Sequence, residues 1–200
     1  MADGLHIAFF TPGYPYVDAA LRALELSKRH GATFSRSIGE PLGPRRDEFA
    51  RWFVDSDHSH ALLLEGDVLP PEDVVDRLLQ VKAPVVTALY PQWTGDRLST
   101  NVQASTDTTW SDAVPPRVFS VRRCLLGCVL IHRDAIKRIP PPWFLATMTP
   151  TGFISDDEWF CTAVRKAGMG IRCDGSIVCA AMRQGADLLA LSGGRLHTSA

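Results

Sequence analysis

Apolar and polar positions along the chain fall into blocks that predict strands and helices in turn. Leu5 to Phe10 is an apolar run interrupted only by His6, and it stops at the turn cluster Thr11-Pro12-Gly13, as a buried strand would. Val17, Leu21 and Leu24 then recur at i, i+4 and i+7, which predicts one helix face. Lys28, Arg29 and His30 suit the C-terminus of that helix, and Gly31 ends it. Ala32 to Ile38 reads as a second strand. The turn-rich stretch from Gly39 to Pro44 delivers Arg45 and Arg46 to a helix with Phe49, Trp52 and Phe53 on its apolar side. His60 to Leu64 is a short apolar strand running into Glu65-Gly66-Asp67. Pro70-Pro71-Glu72-Asp73 opens a helix that buries Val75, Leu78 and Leu79, and Ala83 to Leu89 is the next strand.

This alternation predicts an α/β domain with a mainly parallel sheet covered on both faces. After Tyr90 the pattern changes. Residues 91–116 are polar and contain Trp93 and Trp110, which fits a long functional loop or a small hairpin excursion. Arg117 to Cys124 and Leu125 to Ile131 read as strands, with a short helix from His132 to Arg138. Pro140-Pro141-Pro142-Trp143-Phe144 opens a second irregular loop reaching Ile154. Ser155 is placed to cap a helix that carries Asp156, Asp157 and Glu158 in its first turn and turns Phe160, Val164 and Ala167 inward. Ile171 to Met182 closes a single domain spanning residues 1–182, and residues 183–200 are expected as a loosely held tail.

Composition narrows the class. The 200 residues are 46% hydrophobic and 22% charged, as in an ordinary folded enzyme. A net charge of -1 announces neither a nucleic-acid-binding surface nor an acidic solvating tail. No apolar run approaches the roughly 20 residues that span a bilayer. The N-terminus lacks the marks of a signal peptide, so a cytoplasmic location is expected. The five cysteines include no Cys-x-x-Cys pair and read as buried free thiols.

Four stretches could carry chemistry. Leu62 to Asp67 brings two carboxylates, Glu65 and Asp67, to the carboxyl edge of an α/β sheet, where ligands bind. Such oxygens suit Mg²⁺ or Mn²⁺ shared with phosphates, and Gly66 leaves room for a ligand. A plain polar turn explains the same residues. In Asp156-Asp157-Glu158, the helix dipole accounts for two acids, and a general base would account for the third. Gly127, inside a strand-like run, marks either a close ligand approach or a bulge. Arg45 and Arg46 suit a diphosphate or simply open a solvated helix.

Taken in order, the Thr11-Pro12 turn, Arg45-Arg46, "SHALLLEGDVLPPEDVVDRLL", "APVVTALYP", "LLGCVLIHRDAI" and "SDDEWFCTAVRKAG" resemble small single-domain glycosyltransferases of the GT-A fold, family-2-like, of the phage and bacterial type. The resemblance covers about residues 5–182. It implies a GT-A-like (Rossmann-like) α/β fold with a mainly parallel sheet flanked by helices and a smaller antiparallel acceptor-side portion. It implies that Glu65-Gly66-Asp67 stands for the Asp-x-Asp strand end, with Asp67 on the metal and Glu65 on the donor ribose or sugar or on the metal. Thr11, Pro12, Arg45 or Arg46, Gly66 and Gly127 would complete the donor site. Asp156-Asp157 would match the acid pair opening the last helix, with Asp157 as base in inverting members. One departure stands out: where relatives carry a metal-binding histidine, this chain reads Val178-Cys179-Ala180-Ala181-Met182. Either Asp67 and the donor's phosphates hold a Mn²⁺ or Mg²⁺ ion, or the enzyme needs none.

The expectation is therefore an inverting transfer from a nucleotide-sugar, a UDP-sugar first among them, to an acceptor hydroxyl. The acceptor is a glycan, a lipid-linked sugar or a hydroxymethylated base in phage DNA. Arg117, Arg122, Arg123, Arg133, Lys137 and Arg138 would supply a basic face for DNA. The alternatives are a non-catalytic nucleotide-sugar-binding domain and a nucleotidyltransferase.

Overall fold

The computed structural model describes residues 4–94, 97–104, 114–182, 188–192 and 195–198. The first half of the chain alternates β1 (Leu5–Thr11), α1 (Val17–His30), β2 (Thr33–Ile38), α2 (Leu42–Asp55), β3 (His60–Glu65), β4 (Val68–Leu69), α3 (Val74–Gln80) and β5 (Val85–Leu89). Next come β6 (Pro91–Thr94), β7 (Arg97–Thr100), β8 (Val102–Ala104), β9 (Val118–Cys124), β10 (Cys128–His132) and α4 (Arg133–Lys137). The chain continues through β11 (Thr147–Thr149), β12 (Gly152–Ile154), α5 (Asp156–Lys166), β13 (Ile171–Val178), β14 (Ala180–Met182), β15 (Leu188–Ser192) and β16 (Arg195–Thr198).

Eight strands form the central sheet in the order β2-β1-β3-β10-β5-β13-β9-β8. β1 runs parallel to β2 and β3, and β13 parallel to β5. β10 and β9 run against their neighbours. Six of the eight strands thus share one direction, with β10 running against them at the middle of the sheet and β9 next to one edge. Alternate residues of β1 serve two cores, as the pleat requires. Ala8 and Phe10 join Phe53 of α2, Ile136 of α4 and Phe160 of α5 on one face. Ile7 and Phe9 join Leu26 of α1 and Leu78 of α3 on the other. Smaller antiparallel parts surround this sheet: β6–β7, β11–β12, and a four-stranded sheet ordered β16-β15-β14-β4.

The face expected for α1 is reversed. Val17, Leu21 and Leu24 are 71%, 52% and 42% exposed, while Ala19, Ala23 and Leu26 are buried. Both stripes repeat at i, i+4 and i+7, and the one with two alanines lets the helix approach the strands closely. Ala167, expected inward, is exposed beyond the last turn of α5. The segment 91–116 holds the β6–β7 hairpin where it is described. The Trp93 side chain and Trp110 lie outside the described residues, as does much of the expected tail. Within that tail, β15 pairs with β14 and β16 with β15. All five cysteines are buried free thiols.

Candidate functional site

The buried stripe of α2 consists of Gly43, Arg46, Ala50 and Phe53. This i, i+3, i+7, i+10 spacing is a core face, and an arginine occupies one of its positions. Arg46 is 2% exposed. Its Nη2 donates to Glu65 Oε1 at the end of β3. Its Nη1 donates to Asp156 Oδ2 at 2.5 Å and, more weakly, to Asp157 Oδ1 at 3.4 Å. The guanidinium fork therefore joins the strand-end acid to the acid pair of α5. Gly43 makes the approach possible: a Cβ there would stand 3.1 Å from Asp156 Cβ.

The strand-end turn is fixed by its backbone. Glu65 N donates to Gly127 O at 2.9 Å, Gly66 N donates to Phe10 O at 2.8 Å, and Gly66 O accepts from Tyr16 N at 3.0 Å. A Cβ on Gly66 would come within 3.0 Å of Pro15 and Thr11 side-chain atoms, so the β1 loop requires the glycine. The space that a side chain at Gly127 would take is filled from within the protein. Tyr90 Oη accepts from Gly127 N at 2.9 Å and would sit 2.5 Å from an added Cβ.

The two members of the acid pair differ. Asp157 Oδ1 accepts from Leu126 N at 3.2 Å as well as facing Arg46. Among the described residues, its Oδ2 has no hydrogen-bond partner. One oxygen is thus held by two donors, and the other is held by none among the described residues. Glu158 turns away to Arg123 Nη1 at 2.9 Å, and Ser155 Oγ accepts from Glu158 N at 3.3 Å as the helix cap.

Electrostatics bind these groups into one cluster. Burial pushes the Glu65 carboxyl up to about 7; Arg46 opposes this, and Asp67, Asp157 and Asp156 reinforce it. Burial likewise raises Asp157, against the pull of Arg46. Burial works against the charge of Arg46, but Glu65, Asp157 and Asp156 hold it protonated above its ordinary value. Tyr90 is raised by burial and then by the charges of Glu65 and Asp157, with Asp67 adding to the same effect. Arg46 thus pairs with three carboxylates and also lowers the raised Asp67.

Glu65 is tied to Arg46, whereas Asp67 is exposed in the turn that follows β3. Among the described residues, no group of three His, Cys, Asp or Glu side chains converges as a metal site. A divalent ion fits only in the manner of Mg²⁺, through one carboxylate plus substrate phosphates. The segment where the resemblance places a histidine is hydrogen-bonded directly behind Asp67: Val68 pairs with Ala181 and Leu69 with Ala180.

The remaining expected residues scatter. Thr11 is buried, with Oγ1 donating to Gly13 O at 2.9 Å, and Pro12 is exposed. Arg45 is exposed and faces Glu48 at 3.8 Å, whereas Arg46 is committed to carboxylates rather than left free for a diphosphate. The expected basic face is split between β9 and α4. Arg123 is spent on Glu158, and Arg133 donates to Ser56 O. Trp143 is buried and pins its loop, its Nε1 donating to Ile136 O at 3.0 Å. Tyr90 and the amide of Leu126 were not anticipated. Neither has a sequence signature, because each acts through its place in the fold.

No protein-family model and no curated protein matches the sequence. Solved structures do. A197 from STIV superposes with a TM-score of 0.70 at 18% identity, over 96% of this chain and 92% of that one. This chain fits a GT-A-like fold. A glycosyltransferase involved in glycosylation of the major capsid of PBCV-1 matches with a TM-score of 0.41 and 15% identity, over 70% of this chain and 69% of its own. An inositol-1-phosphate CTP transferase from T. maritima matches with a TM-score of 0.47 and 9% identity, over 89% of this chain and 87% of its own. Among the described residues, no helix is long and apolar enough to cross a membrane.

Proposed function

We propose that this protein is a glycosyltransferase that moves a sugar from a nucleotide-sugar donor to an acceptor hydroxyl with inversion. The observation that carries the proposal is the convergence of Glu65, Asp156 and Asp157 on Arg46 beside the Asp67 turn. The donor diphosphate lies near Asp67, whose carboxylate is the group free to share a Mn²⁺ or Mg²⁺ ion with it. When bound, that ion offsets charge developing on the leaving diphosphate. Arg46 holds Glu65 and the acid pair in fixed relation. Asp157 takes the acceptor proton through Oδ2, and its raised affinity for protons suits a general base. The acceptor oxygen then bonds to the anomeric carbon as the bond to the diphosphate breaks.

The test is a panel of UDP-, GDP- and dTDP-sugars with and without Mn²⁺, read by calorimetry and by release of nucleoside diphosphate. Binding with slow donor hydrolysis supports an enzyme of this class. Pyrophosphate release would indicate nucleotidyl transfer, and failure of every donor to bind would overturn the reading.

A further inference from the structure

A second feature lies at the other end of β3, five residues or about 17 Å of strand from Glu65. His60 opens β3 and His132 closes β10. The register places them directly opposite each other, and their rings meet edge to face at 4.7 Å. They line a cavity of about 430 Å³ whose rim carries Lys82 and Arg138. Asp134 is the one carboxylate among the lining residues.

Two imidazoles set against each other across strands offer the sheet little, and they repel when both are charged. His132 Nδ1 accepts from Asp134 N at 3.2 Å, so the neutral ring carries its proton on Nε2 as a donor. Burial and then the His132 charge lower the proton affinity of His60. Lys82 and Arg138 are both exposed, and neither has a carboxylate partner among the described residues. Lys82 and Arg138 against the single carboxylate of Asp134 leave the site a net positive charge without counting the imidazoles, which favours an oxyanion.

We propose that this cavity binds the phosphate group of a small phosphate ester, or free phosphate, at a site separate from the acidic cluster around Arg46. Lys82 and Arg138 supply the charge, and the histidines supply directional donors. The proposal does not depend on the glycosyltransferase reading.

Calorimetry at low salt with inorganic phosphate and, separately, glycerol 3-phosphate tests it. The expected result is saturable binding of at least one probe, weakened tenfold or more in Lys82→Gln and Arg138→Gln and unchanged in Asp157→Asn. Tighter binding of the ester assigns an ester ligand, and equal binding assigns free phosphate. Ring signals of His60 and His132 in the wild-type protein should shift on titration, which reads the site without any variant. Absence of saturable binding, indifference to both rim variants, loss in Asp157→Asn, or histidine rings that do not move would each overturn the site.

Discussion

Arg46 and Asp156 are 110 residues apart in the chain, and their Nη1 and Oδ2 atoms are 2.5 Å apart in space. This contact ties the second turn of α2 to the first turn of α5 beside the end of β3. The stability of the site and its chemistry therefore meet in one guanidinium.

Replacing Arg46 with Met would leave Glu65, Asp156 and Asp157 without their buried partner. Removing one side of such an arrangement costs about 3–5 kcal/mol. Arg46→Lys keeps the charge but loses the fork, and should recover only part of that. Urea unfolding measures both. An Arg46→Met protein as stable as the wild type would mean that the acids do not need the cation.

Asp157→Asn should retain the Leu126 hydrogen bond and the fold while losing the base. Transfer should fall by about 10²–10⁴-fold with donor affinity unchanged, as expected for loss of general-base catalysis. Calorimetry with the donor separates binding from turnover. Normal turnover would remove Asp157 from the mechanism.

Gly127→Ala would drive a methyl to 2.5 Å from Tyr90 Oη. Overpacking of this kind costs about 1–3 kcal/mol. Tyr90→Phe costs a comparable amount for a different reason, since the buried Gly127 N–H loses its acceptor. In the double variant the methyl gains room while the amide stays unpaired. Its loss should be smaller than the sum of the single losses, and strict additivity in thermal unfolding would contradict the packing described.

His6 is buried, with Nδ1 2.6 Å from Thr33 Oγ1 and Nε2 2.8 Å from Ser35 Oγ. Burial, and then the charge of His58, lower its pKa to about 4. The unfolded chain, titrating near 6.5, takes the proton first. Stability is therefore intact above pH about 6.5 and falls as the pH drops toward 4, by up to about 3 kcal/mol. Glu65 acts in the opposite sense between its ordinary value and about 7, so the clean reading is the His6 ring titration by NMR. A midpoint near 6.5 would refute it.

Much of the fold was legible because β1, β3, β5 and β10 are blocks of apolar residues bounded by turn chemistry. The helix cap at Ser155 and the acids behind it were equally local. The face of α1 was not legible: Val17-Leu21-Leu24 and Ala19-Ala23-Leu26 repeat with one spacing, and only the closeness of the sheet selects the alanine stripe. The site divides in the same way. Glu65, Asp67, Asp156 and Asp157 stand out as acids at element ends, whereas Arg46 looks like any arginine at a helix start until α2 is rotated against the sheet.

The order of apolar and polar residues by itself determined where the helices and the apolar strands of the central sheet lie and which acids stand at their ends, since those depend on neighbours a few residues away. Only the tertiary structure decided that β10 enters the middle of the sheet, that Tyr90 fills the space before Gly127, and that a buried arginine is shared among three carboxylates. Each of these depends on groups distant in the chain being brought within hydrogen-bond or van der Waals reach, and no local pattern encodes that distance.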